Sequence, residues 1–115
     1  MREPNVTSTD KFDPKRVIEA MSQIDLAETE AWPDLDLLAS RVAVEAIQVD
    51  PAGLVISKDG RFDGVFNVYL SLQYGGKNDR FATSDSFLGK YSGHFQSNGN
   101  PEIEHVSVDT SRFYV

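Results

Sequence analysis

The run Lys77-Asn78-Asp79-Arg80 is entered through the pair Gly75-Gly76 and left through Phe81. Two cations beside paired glycine amides would suit an anion. No glycine-rich nucleotide fingerprint opens a helix there, so the run is not a nucleotide loop of known pattern. Lys77, Asn78, Asp79, Arg80 and Phe81 are therefore a candidate binding loop, set against the plainer reading of a turn that keeps the chain soluble. The two histidines, His94 and His105, flank the stretch "SNGNP". A hairpin symmetric about Gly99 and Asn100 would set the imidazoles opposite one another, with Glu102 and Glu104 close by. Histidine and carboxylate together suit zinc or nickel. A slip of one residue puts the two rings on opposite faces, so solvated histidines are the expectation, and no metal or cofactor is assigned.

Other chemistries find fewer residues. With no cysteine in the chain, thiolate catalysis, disulfides and cysteine-ligated metals are excluded. No G-x-S-x-G nucleophile elbow occurs. A restriction-type nuclease core needs Pro-Asp followed by Asp/Glu-x-Lys on a strand. Pro33-Asp34 supplies the first half, but the lysine-ended strand "VISK" has Ile56 where the acid should stand. Asp59, Asp63, Asp79 and Asp85 read as strand-end aspartates, the residues that turns favour. No complete catalytic set is visible.

The elements that must carry these residues follow from periodicity. Asp13-Pro14 is a helix start, with the aspartate as N-cap and the proline at a position whose N–H has no partner to lose. Val17, Ile18, Met21 and Ile24 recur at helical spacing, which predicts a helix over about 14–25. Trp32 precedes Pro33 and is biased out of helical geometry, so a second short helix is expected over about 34–40, with Leu35, Leu38 and Val42 inward. From Arg41 the period becomes two. "VAVEAIQV" runs into "DPAG", a tetrad suited to a reversing turn, and "LVIS" returns from it. "KDGR" is the next reversal.

The longest strand is "RFDGVFNVYLSLQY". Phe62, Gly64, Phe66, Val68, Leu70, Leu72 and Tyr74 share its core face, and Asp63, Val65, Asn67, Tyr69, Ser71 and Gln73 the other. In "DSFLGKYSGHFQ", glycines alternate with aromatics, which marks a coiled or bulged region or makes room for a neighbouring ring. A change of phase between Ile103 and Val106 predicts a bulge in the last strand. The fold class is α+β: one or two N-terminal helices packed on a five-stranded, mostly antiparallel, curved β-meander. Residues 1–12 are read as a polar, frayed N-terminus and 13–115 as a single domain.

The formal net charge of the 115-residue chain is −7, which opposes a general grip on the phosphate backbone; nucleic acid is not expected as a partner. No basic residue stands between Arg16 and Arg41, while Glu19, Asp25, Glu28, Glu30, Asp34 and Asp36 do. That segment is a solvated acidic face, or else a patch for a basic partner or a nucleic-acid mimic. No run approaches bilayer-spanning length and no leader is evident, so a cytoplasmic setting without membrane contact is expected.

Leu72-Gln73-Tyr74-Gly75, Asp79 and Ser86-Phe87, within residues 62–96, resemble a strand–loop–strand motif of uncharacterised bacterial proteins. Some of these are described as predicted nucleases accompanying Piwi-type defence systems. The resemblance implies a shared β-rich module. The catalytic lysine motif is missing, so the resemblance carries no nuclease activity with it. The functional expectation is a non-catalytic accessory or protein-interaction domain of the bacterial cytosol. Its surface would be the sheet face with Tyr69 and Gln73, or the 75–84 loop. The alternative is a small-molecule-binding or enzymatic α+β roll with a pocket between helix and sheet.

Overall fold

The structure, a computed structural model, describes residues 12–75 and 81–114, apart from the side chains of Arg112 and Tyr114. Helix α1 spans Pro14–Ser22. The Asp13 carboxylate accepts from the Lys15 amide at 3.0 Å and caps it. The helix ends three residues earlier than its apolar spacing predicts, because Asp25 caps a new start. Its side chain accepts from the Ala27 amide at 3.0 Å and opens a 3₁₀ turn over Leu26–Glu28, which buries Leu26. Helix α2 is Trp32–Asp36. Trp32 is inside it, contrary to the sequence expectation. Pro33 falls in the first turn, where its missing N–H has no intrahelical partner, and the Trp32 amide bonds to the Thr29 carbonyl at 3.2 Å. Leu35 and Leu38 point inward as expected.

Five strands follow: β1 (Arg41–Val49), β2 (Val55–Ile56), β3 (Arg61–Tyr74), β4 (Phe81–Phe95) and β5 (Pro101–Val108). The sheet is antiparallel with order β1-β3-β4-β5, and β2 also pairs with β3. The "DPAG" segment does not reverse the chain. Asp50 caps a 3₁₀ turn over Pro51–Gly53, and the chain continues in the same direction. Val49 faces Phe66 and Val55 faces Asp63, so β1 and β2 follow one edge of β3 in succession. A helical cap and a type I turn have similar local chemistry; pairing with the long β3 decides between stepping and reversing. The reversal comes at "KDGR". Gly60 holds φ +90°, and the Asp59 carboxylate takes hydrogen bonds from the Ser57 hydroxyl and the Arg61 amide, which hold it below the usual carboxylate range.

The core lies between the helical layer and one face of the sheet. Val17, Met21, Leu26 and Leu35 meet Phe62, Phe66, Val68, Leu70, Leu72, Phe87 and Tyr91. Three successive cross-strand pairs match a ring to a glycine: Phe62 with Gly93, Tyr91 with Gly64, Phe66 with Gly89. A Cβ on Gly89 would lie within 2.3 Å of the Phe66 ring. The alternation of glycine and aromatic along β4 is therefore a seat for rings from both strands. Phe12, at the end of the polar N-terminal stretch, packs its ring 5.2 Å from that of Phe95. The Arg16 guanidinium donates to the Gly99 carbonyl and the Asn100 side chain, which ties α1 to the β4–β5 turn.

Both edges of the sheet carry a bulge. In β1 the pairing skips Glu45, between Val44 opposite Leu70 and Ala46 opposite Tyr69. In β5 it skips Glu104, between Ile103 opposite Gly93 and His105 opposite Ser92. The second is the bulge that the apolar phase of Ile103 and Val106 predicts.

Candidate active site on the open face of the sheet

The helices cover one face of the sheet; the other, the open face, is covered by none of the described elements. Along it, cross-strand pairing builds three polar rows. Arg61 stands beside His94 and Glu102, Asp63 beside Ser92 and His105, and Val65 beside Lys90 and Ser107. The β5 bulge is what makes the middle row. Ile103 lies on the core side, and an unbroken strand would put His105 there too. The extra residue, Glu104, shifts the phase, so that Val106 is buried and His105 points outward with 70% of its side chain exposed.

A groove of about 370 Å³ runs across these rows, lined by Val55, Asp63, Lys90, Ser92, His105 and Ser107. The step between β1 and β2 forms its wall. Gly53 sits so close over the Val65 side chain that a Cβ on it would approach within 2.6 Å. Val55 stands beside it with 63% exposure. Asp63 and His105 lie on either side of β4, two strand spacings or about 10 Å apart at the backbone, and Lys90 is one row away at about 7 Å along the strand. Such a set contains a proton acceptor, a proton donor and a fixed positive charge around one hydroxyl-lined space.

Carboxylates orient both imidazoles. The Nδ1 of His105 lies 3.4 Å from Glu30 Oε1, across the β5 edge. His94 has Nδ1 at 3.2 Å from Glu104 Oε2 and Nε2 at 3.7 Å from Glu102 Oε1. A carboxylate at one ring nitrogen fixes the orientation of the ring. His94 is engaged at both nitrogens, whereas His105, which lines the groove, has no partner at Nε2 among the described residues. The assumed symmetric hairpin does not form. His94 faces Glu102, and His105 faces Ser92, because the turn closes with Phe95 opposite Pro101. The two imidazoles therefore stand in neighbouring rows rather than face to face. Among the described residues, no three histidine, aspartate or glutamate side chains gather as a metal-binding group.

Beneath the groove, on the core side, the Tyr91 hydroxyl is buried with no hydrogen-bond partner among the described residues. Burial, with the Asp50 charge second, raises its pKa.

Lys77, Asn78, Asp79 and Arg80 lie outside the described residues. Phe81 belongs to β4, not to a loop: it pairs with Tyr74, and the connection between the strands is residues 75–80 rather than 75–84. Its ring stacks on Tyr74 at 5.2 Å and is 62% exposed. Tyr69 and Gln73 are on the open face, farther along β3 from the groove. The Tyr69 hydroxyl donates to Gln48 Oε1 at 3.1 Å.

The sequence model of one family, described as predicted pPIWI-associating nuclease, matches residues 15–114. The chain belongs to that family. The match takes in α1 from its second residue, α2 and strands β1 to β5, well beyond the 62–96 segment that carries the resemblance. No curated protein and no solved structure matches the chain. Against this pPIWI-associating nuclease family, the groove residues Asp63, Lys90, Ser92 and Ser107 are the ones that sequence reading passes over. Asp63 offers a signal: an aspartate inside a strand opposes β propensity. It reads as a strand-end residue only if the strand starts late, and β3 starts at Arg61.

Proposed function

We propose that the open face of the sheet cleaves phosphodiester bonds by acid–base chemistry, with Asp63, Lys90 and His105 as the working set. The observation that carries this reading is the row Asp63–Ser92–His105 with Lys90 beside it, in a groove on a chain whose family is described as a predicted nuclease. A carboxylate and an imidazole flanking one site can take and give the protons of a transfer, and an ammonium can hold the phosphate charge that develops. Of the acidic residues between Arg16 and Arg41, Glu30 reaches His105 at the edge of the groove, while Glu19, Asp25, Glu28, Asp34 and Asp36 belong to the helical layer on the other side of the sheet. The net charge therefore disfavours a long duplex footprint without opposing a grip on one phosphate. The cysteine-free composition favours a reducing, cytosolic setting.

The test is cleavage of single-stranded RNA and DNA by the wild type and by Asp63→Asn, Lys90→Ala and His105→Ala, with far-UV circular dichroism to establish folding. Loss of at least about 100-fold in each folded variant supports the reading, that being the usual scale of general acid–base catalysis. Equal rates in the variants, or no cleavage by the wild type, would sink it.

A second reading, the non-catalytic accessory domain, rests on Phe81, exposed where it stacks on the half-buried Tyr74, and on Leu37, 75% exposed at the end of α2. Exposed large apolar groups mark contact surfaces when they cluster. In that case Phe81→Ala abolishes binding to a protein partner, while Asp63→Asn leaves it intact.

A further inference from the structure

The groove sets its acid and its base on a line. Asp63 and His105 flank Ser92 from opposite sides, one strand spacing away in each direction. Phosphoryl transfer places the attacking and leaving oxygens in line through phosphorus. A phosphate seated over Ser92 would therefore have its two in-line positions directed along the row, one toward the carboxylate and one toward the imidazole. If Ser92 itself attacked, the leaving oxygen would depart away from the sheet, toward solvent, where neither flanking group of the row protonates it. The row thus serves a nucleophile that arrives with the substrate.

Resting on the cleavage reading above, we infer that the substrate is RNA, cut by its own 2′-hydroxyl. Asp63 accepts the proton of the 2′-hydroxyl as that oxygen attacks phosphorus. The bond from phosphorus to the 5′-oxygen breaks, and the His105 imidazolium gives its proton to the departing oxygen. Lys90 faces the non-bridging oxygens, where charge accumulates. The products are a 2′,3′-cyclic phosphate and a 5′-hydroxyl. Protonated Asp63 and neutral His105 exchange protons with water, which restores the starting state. Glu30, 3.4 Å from His105 Nδ1, is a positioning residue that keeps Nε2 turned to the groove.

The experiment uses the full chain with EDTA present and three labelled single strands of one sequence: all DNA, all RNA, and DNA with a single ribonucleotide. The expected result is cleavage of the RNA and of the mixed strand only after its ribonucleotide. The new 3′ end should be lighter by one water than a phosphate in mass spectrometry. A 2′-O-methyl group at that ribonucleotide abolishes the cut. Roles are separated by a substrate whose 5′ leaving oxygen is replaced by sulfur, which departs without protonation. It restores His105→Ala to within about tenfold of wild type and leaves Asp63→Asn at least about 100-fold slow.

Cleavage of the DNA strand at a comparable rate would leave phosphodiester cleavage standing and overturn the RNA inference. Cleavage that leaves a 5′-phosphate would do the same, as would complete loss in a folded Ser92→Ala with a covalent adduct on wild-type Ser92. No cleavage of any strand overturns both readings.

Discussion

Replacing Gly89 with alanine tests how the sheet seats its rings. The new methyl would lie 2.3 Å from Phe66 Cζ, about 1 Å inside the 3.4 Å at which ordinary contact begins. Phe66 is fully buried, with the Tyr91 ring centroid 6.3 Å away, so the ring has no open side to move into. Overpacking of this kind costs about 3 kcal/mol, at the upper end of its usual range. The alanine recovers roughly 0.7 kcal/mol by restricting the unfolded chain. The net expectation is a loss of about 2 kcal/mol, or roughly 8–12 °C in Tm for a domain of this size.

Urea denaturation, followed by circular dichroism and by the fluorescence of the single tryptophan, Trp32, reads the change through the midpoint at constant slope. Phe66→Leu in the same chain removes the obstructing ring. The Gly89→Ala penalty should then shrink by at least about 1 kcal/mol, a coupling expected only of residues in contact. Additive costs in the double variant, or a single-variant loss below about 0.5 kcal/mol, would refute the seat.

Tyr91→Phe removes a buried hydroxyl that has no partner among the described residues, and should stabilise the protein by about 1 kcal/mol in the same urea assay. Because folding raises the Tyr91 pKa, the unfolded chain loses its phenolic proton first; wild-type stability should fall relative to Tyr91→Phe as pH rises above about 10, and a constant difference would argue against it. Leu70→Ala, at a fully buried position of β3, should cost about 2–5 kcal/mol; a loss below about 0.5 kcal/mol would contradict the assigned faces. Duplex DNA at physiological salt should show no measurable sequence-independent binding in a fluorescence titration, and micromolar binding that weakens steeply with salt would refute that.

Much of the fold was legible because its determinants are local or periodic. The alternation from Phe62 to Leu72 identifies the buried face of β3, and Asp13-Pro14 marks the start of α1. What escaped depends on pairing between distant segments. "DPAG" has the residues of a reversal, yet β3 is long enough for the chain to step and keep pairing. The polar row on the open face was hidden for the same reason. His105 drew notice as a histidine, but only the skipped Glu104 turns it outward beside Ser92, and only the β3–β4 register brings Asp63 to the other side. The change of phase between Ile103 and Val106 was visible in the sequence. Its consequence for His105 was not, because that needs the neighbouring strand.

The two skipped glutamates have a further effect. Glu45 and Glu104 interrupt the two strands that border the sheet. An exposed border offers unpaired amides and carbonyls to any extended chain, and copies of this protein would be such chains for one another. A bulge breaks the regular spacing that an incoming strand must match, and a carboxylate at the break would meet its own like charge in a second copy. Each border is thus left with only short uninterrupted stretches for recruitment. Such borders disfavour edge-to-edge pairing while the open face stays accessible.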